Sequence, residues 1–247
     1  MFSDIHQFLF YLHVTCGAVG LVVFWLPMLS KKGSPFHKSF GKAFSYGMFA
    51  VSISGVIMSM MVLIDPLAIR APDIELDGQA LQQIAERARR TSAFLMMLSL
   101  LVFANVKHSL LALKAKQDRQ ILKSYSHLTS ILLLLVAGIV IGYYGFKSGN
   151  TLFIVFSILC IVLSSNIFYY IYKKNIKKQE WLIEHLGNII GAGIGTYTAF
   201  FAFGGRRFLA EIFTGQLQVI PWILPGVVGG IAIAYLSKRY RLQYKVA

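Results

Sequence analysis

The chain alternates between long apolar runs and short polar interruptions. Seven runs approach the roughly 20 mainly apolar residues that a membrane-crossing helix needs. They are Gln7–Leu29, Ala43–Ile64, Thr91–Leu113, His127–Phe146, Leu152–Tyr172, His185–Gly204 and Val219–Leu236. Within each run the apolar positions are continuous rather than alternating, which excludes a transmembrane β-barrel. The pattern predicts an all-α, polytopic membrane helix bundle forming one integral membrane domain over residues 1–247. The first run is read as helix one and not as a cleaved signal peptide. It has no basic n-region and no small-residue cleavage site.

The interruptions are mostly short. Ser148-Gly149-Asn150 is a turn signal. The longest polar stretch is Asp65–Arg90, which opens with Pro66 and Pro72. Asp77 then reads as a helix N-cap, with Leu81, Ile84, Ala85 and Ala88 at helical spacing. A short amphipathic helix there bends or runs directly into span three.

Composition supports this picture. Hydrophobic residues make up 56% of the 247 and charged residues only 14%, against about 25% charged in soluble domains. The formal net charge of +14 would suggest a nucleic-acid partner in a soluble chain. Its distribution argues otherwise. Segments on one side of the expected membrane carry 17 basic and three acidic side chains, and the other side carries seven of each. The positive-inside rule then places the N-terminus outside and the C-terminus in the cytoplasm. A multi-pass protein of the bacterial inner membrane follows, its basic face attracted to anionic inner-leaflet lipids. No nucleic-acid partner is expected, because the basic stretches carry no aromatic stacking platform.

Glycines recur at spacings that bring helices close. Gly187, Gly191 and Gly195 share one face of span six, and Gly138 and Gly142 one face of span four. Such faces serve internal packing or a homodimer seam. Cys16 and Cys160 lie inside spans and suggest no disulfide. Met58, Met60, Met61, Met96 and Met97 read as core filler.

No Asp, Glu, Lys or Arg sits near a span's midpoint, so an ion-coupled carrier is not indicated. Histidine carries the remaining chemistry. His37, His108, His127 and His185 all fall at the inner membrane level, on four different connections or helices. Imidazole is a common metal ligand and also binds haem iron. Two of the four could clamp a haem, or three with Glu184 or Asp118 could hold a divalent metal such as zinc. The spacing matches no specific ligand motif, and plain polar helix ends are the simpler reading. His13 lies about 17 residues from the inner end of its helix, roughly 25 Å away, so it cannot join them. It needs a hydrogen-bond partner in the outer leaflet, and Tyr197 and Thr198 are at similar depth.

Residues 12–48 contain Leu12-His13-Val14, Gly17, Lys32-Gly33, His37-Lys38 and Gly41-Lys42. Trp181 and His185, then Pro221-Trp222 and Pro225, follow in the last third. Together these resemble a bacterial family of seven-helix membrane proteins of unassigned function. Its hallmarks are a His-x-x-x-Gly in helix one and a K-G-x-x-x-H-[RK]-x-x-G-[RK] loop. The resemblance implies that His13, His37 and His185 are signature positions, and it implies no reaction. Lys38 and Lys42 stand where arginine is common, which would weaken a bidentate phosphate grip. The loop of Lys32, Gly33, His37, Lys38, Gly41 and Lys42 could bind a phosphate or lipid head group, or simply fix helices one and two.

Two functional classes therefore stand. One is a histidine-lined metal or haem site supporting redox or metal-dependent chemistry. The other is a non-enzymatic protein that binds a lipid or small apolar ligand, or a facilitative carrier.

Overall fold

The structure is a computed structural model that describes residues 2–71, 77–205, 209, 211–244 and 246, the side chain of Gln216 excepted. Pro72 and five of the charged residues counted on the two sides, Asp73, Glu75, Arg206, Arg207 and Lys245, lie outside the described residues. All regular structure among them is helical. Among the described residues nine α-helices occur: α1 (Phe2–Val23), α2 (Trp25–Leu29), α3 (Pro35–Ile64), α4 (Pro66–Arg70), α5 (Gly78–Ala115), α6 (Tyr125–Ser148), α7 (Thr151–Tyr172), α8 (Glu180–Ala199) and α9 (Ile220–Gln243). Among the described residues, seven helical stretches are long and apolar enough to cross a membrane. They coincide with the seven expected spans, with α1–α2 acting as one.

The boundaries differ in instructive places. The second span begins at Pro35, not Ala43. Ser34 adopts an extended conformation and its Oγ accepts from the His37 N–H at 3.1 Å, while Pro35 takes the first helical turn. This is an N-cap followed by proline, the usual start signal. His37, Lys38, Gly41 and Lys42 therefore lie on α3, and the expected loop shrinks to Ser30–Ser34. Gly33 does turn the chain, at φ 78°, whereas Gly41 is an ordinary helical position.

Asp77 caps α5 as expected, its carboxylate accepting from the Ala80 N–H at 2.6 Å. The amphipathic segment and span three then form one helix of 38 residues. At 1.5 Å per residue it is roughly 57 Å long, well beyond a hydrocarbon core of about 30 Å. Its first turns, residues 78–90, are the polar part of the helix.

α5 is the central helix and packs against α3, α6 and α8. α1 lies on α3, α7 on α6 and α9 on α8. Phe94, Met97, Leu101 and Ala104 of α5 meet Leu134 and Ile141 of α6 and Phe156 and Cys160 of α7 in the main apolar cluster. Met48 and Met97 are fully buried in the core while Met60 stays half-exposed.

The glycines explain how closely the helices approach. A Cβ on Gly145 would lie 3.0 Å from the Ile154 backbone nitrogen across the α6–α7 hairpin. On Gly191 it would reach Asn105 at 3.2 Å, and on Gly195 Val102 at 3.1 Å. Gly138 and Gly142 of α6 likewise face Cys160 and Ser157 of α7, so of the expected glycine faces only Gly187 has open space beside it. Trp222 packs edge-on against Phe156 and Phe203 and at a tilt against Phe94.

Up-and-down threading gathers the turns at Ser30–Ser34, Lys116–Ser124 and Lys173–Gln179 and the end of α9 at one end of the bundle. This basic end carries the site.

Candidate functional site

The α5–α8 interface places polar side chains where an apolar bundle would not need them. Asn105, His108 and Ser109 lie at i, i+3 and i+4 on α5, so they share one side of the helix. On α8, Glu184 and Asn188 are one turn apart on one face, and His185 lies beside them, reaching Ser109 where Glu184 reaches His108. His108 and His127 have no exposed surface, and Ser109 and Asn105 are almost as deeply buried.

The first group is a linear chain of three side chains. His108 Nε2 is 3.3 Å from Glu184 Oε2, and His108 Nδ1 is 3.1 Å from His127 Nε2. The two imidazole planes are within 7° of parallel with centres 5.2 Å apart. The nitrogens are closer than the centres, so the rings meet edge to edge through the hydrogen bond and do not stack face to face. A carboxylate can only accept, so with Glu184 ionised His108 Nε2–H donates to it. In neutral imidazole the other nitrogen must then accept, so His127 Nε2–H donates to His108 Nδ1. That leaves His127 Nδ1 unprotonated, and it is buried without a partner.

The surroundings fix this chain. The Tyr170 ring stands edge-on to His108, centres 5.8 Å apart, and its hydroxyl is also buried without a partner. Asn188 Nδ2 donates to the Glu184 carbonyl at 2.9 Å. Lys107 Nζ donates to the Ser126 carbonyl and hydroxyl at 2.7 and 2.8 Å, pinning the start of α6 beside His127. Arg119 donates to the Tyr170 and Lys173 carbonyls at 2.6 and 2.7 Å, closing the end of α7. Lys173 pairs with Glu180, whose other oxygen accepts from the Lys177 N–H at 2.9 Å.

The second group lies on the other side of Ser109. The Ser109 hydroxyl donates to the His185 carbonyl at 3.1 Å, and His185 Nδ1 sits 2.7 Å from Ser109 Oγ. His37 Nδ1–H donates to the Pro27 carbonyl at 3.0 Å. Lys32 Nζ donates to the Pro27 and Met28 carbonyls at 3.0 and 2.9 Å. Lys32 and His37 thereby satisfy the last carbonyls of α2, a favourable place for a cation. Both residues lie within electrostatic range of His185. Burial holds the Lys32 ammonium below the ordinary lysine pKa.

The four inner histidines thus form two pairs, His108 with His127 and His37 near His185. Among the described residues, no group of three or more His, Cys, Asp or Glu is arranged to hold a metal ion. The reason is geometric. His108 spends both nitrogens on its neighbours and holds His127 and Glu184 on opposite edges of its ring. Around His37 and His185, the Lys32 charge opposes a divalent cation. Asp118 is occupied as an N-cap, accepting from the Gln120 N–H at 3.0 Å.

The expected partners of His13 need correction. His13 Nδ1 lies 3.1 Å from Ser54 Oγ on α3. The Ser54 hydroxyl itself donates to the Ala50 carbonyl at 2.7 Å, so His13 donates to it. Tyr197 instead donates to the Leu21 carbonyl at 2.7 Å and accepts from Trp25 Nε1–H at 2.6 Å. Thr198 is buried and does not reach His13. The physical reason is that α1 packs mainly on α3 and touches α8 only at its end.

Compared with known proteins, the chain matches no protein-family model, no curated protein and no solved structure. Among the described residues, the fold and the site define a helical chain with seven stretches long and apolar enough to cross a membrane and a buried polar cluster at its basic end.

Proposed function

We propose that the protein is a multi-pass protein of the bacterial cytoplasmic membrane, N-terminus outside and C-terminus inside. Its buried site at the cytoplasmic end performs proton transfer. The observation that carries this reading is the Glu184–His108–His127 chain. A proton arriving at His127 Nδ1 allows the Nε2 proton to pass to His108 Nδ1, and the His108 Nε2 proton to pass to Glu184. No ring needs to turn. The chain joins a dry nitrogen to a carboxylate whose side chain is 25% exposed. A general base reached through such a relay suits acid–base chemistry on a membrane-soluble ligand. Sidedness rests on the charge distribution, and membership of the seven-helix family on the motif residues.

Infrared difference spectroscopy of the purified protein in nanodiscs, taken across a pH titration, tests the relay. His127→Gln should shift the titration of the Glu184 carboxyl band, although the two side chains do not touch. A Glu184 band indifferent to His127 would overturn it. The unpartnered lone pair of His127 Nδ1 supports a second reading, ligation of a metal or haem iron. Stoichiometric metal, or a Soret band lost in His127→Gln, would establish that reading in place of the first.

A further inference from the structure

A second feature of the basic end is independent of the relay. A cavity of about 290 Å³ lies between the Ser30–Lys32 turn and the last turns of α9. Lys31, Lys32, Arg239, Tyr240, Gln243 and Tyr244 line it, with Met28 and Ser30 completing the wall. Three of these are cations and none is an acid. Tyr240 and Tyr244 lie one turn apart with ring centres 5.8 Å from each other, so two phenols and a glutamine amide add neutral donors.

We propose that this cleft binds a phosphate-bearing group at the membrane surface. Two of the three Lys32 N–H donors are spent on the Pro27 and Met28 carbonyls, which leaves one for a ligand. Those bonds also fix the ammonium in place. Burial desolvates the Lys32 ammonium, and among the described residues no carboxylate forms an ion pair with it. A desolvated cation without a counter-charge is costly, and an anion in the cleft offsets that cost. Lys31 and Arg239 are exposed and approach from opposite walls, one from the turn and one from α9. Arg239 supplies the planar fork that matches phosphate oxygens, which the lysines at 38 and 42 do not. The site lies where the chain passes from apolar span to polar end, the level of phospholipid head groups.

Native mass spectrometry of the full-length protein provides the test, with phosphatidylglycerol, diacylglycerol of the same acyl chains, and inorganic phosphate as probes. Phosphatidylglycerol should be retained and diacylglycerol should not. The Lys31→Gln/Arg239→Gln variant spares Lys32 and its capping bonds, so folding is preserved. It should weaken retention by about tenfold or more, the loss of charge-assisted hydrogen bonds. Lys114→Gln/Lys178→Gln removes the same charge elsewhere at the same end. It should change retention by about twofold or less, through screened long-range attraction. Competition by millimolar inorganic phosphate would identify free phosphate as the source. Its failure to compete would identify the lipid. Equal losses in the two variants, equal retention of diacylglycerol, or binding of neither phosphate probe would each overturn the proposal.

Discussion

Replacing His108 and His127 singly and together by phenylalanine probes the relay through stability. Both rings are fully buried, so neither lost partner can be replaced by bulk water. Phenylalanine keeps the ring that Tyr170 packs against but removes both nitrogens. In His108→Phe the His127 Nε2–H is orphaned, and in His127→Phe the His108 Nδ1 is. Each orphan is a buried polar group without a partner and lowers stability. In the double variant neither orphan remains. Glu184 loses His108, yet it is partly exposed and keeps Asn188 Nδ2 within 3.4 Å. The cost of fitting slightly larger rings enters singles and double alike and cancels in the cycle. Interhelical hydrogen bonds in membranes average about 0.6 kcal/mol in such cycles, with a maximum near 1.7. Complete burial puts this pair in the upper part, so the double variant should be about 1 kcal/mol more stable than the sum of the singles. Reversible unfolding in mixed micelles measures the three free energies. Additive effects would refute the reasoning, because they would mean that the two rings do not share a hydrogen bond.

Other expectations follow from the same geometry. Gly145→Ala should destabilise the fold by about 1–3 kcal/mol through overpacking, since the added methyl meets the α7 backbone, which cannot yield as a side chain can; thermal melting in detergent reads this. Arg119→Met should lower stability by about 1–3 kcal/mol, because two carbonyls at the end of α7 lose a charged donor, and Arg119→Lys should recover only part of it. Sidedness is checked by thiol labelling in intact cells. An impermeant reagent should modify Lys147→Cys from outside and leave Lys178→Cys untouched, and the reverse pattern would invert the proposed topology. Ser54→Ala should destabilise the packing of α1 on α3 by about 1 kcal/mol, whereas Thr198→Ala should leave His13 unaffected in histidine NMR spectra.

The number of spans was legible in the sequence because continuous apolar runs and membrane-length helices are the same physical requirement. The Asp77 cap and the Gly149 turn were legible for equally local reasons. The Ser34-Pro35 pair carried a helix-start signal of the same kind, but the lysines and glycines around it read as a loop. Depth was legible too, and it brought His37, His108, His127 and His185 to one end. Pairing was not, because depth fixes position along a helix and says nothing of rotation about its axis or of which helices are neighbours. That is why His13 met Ser54 and not Tyr197. Ser109, Asn188 and Tyr170 were missed for a related reason. The i, i+3, i+4 spacing of Asn105, His108 and Ser109 was visible, and it becomes informative once α8 is known to present Glu184, His185 and Asn188 to the same interface.

The relay is tested most directly by nitrogen-15 NMR of histidine in the membrane-reconstituted protein at neutral pH. The hydrogen bond between His127 Nε2–H and His108 Nδ1 should give a scalar coupling across the N–H···N bond. His127 Nδ1 should carry no proton. Absence of that coupling, together with a protonated His127 Nδ1 in the neutral ring, would contradict the relay.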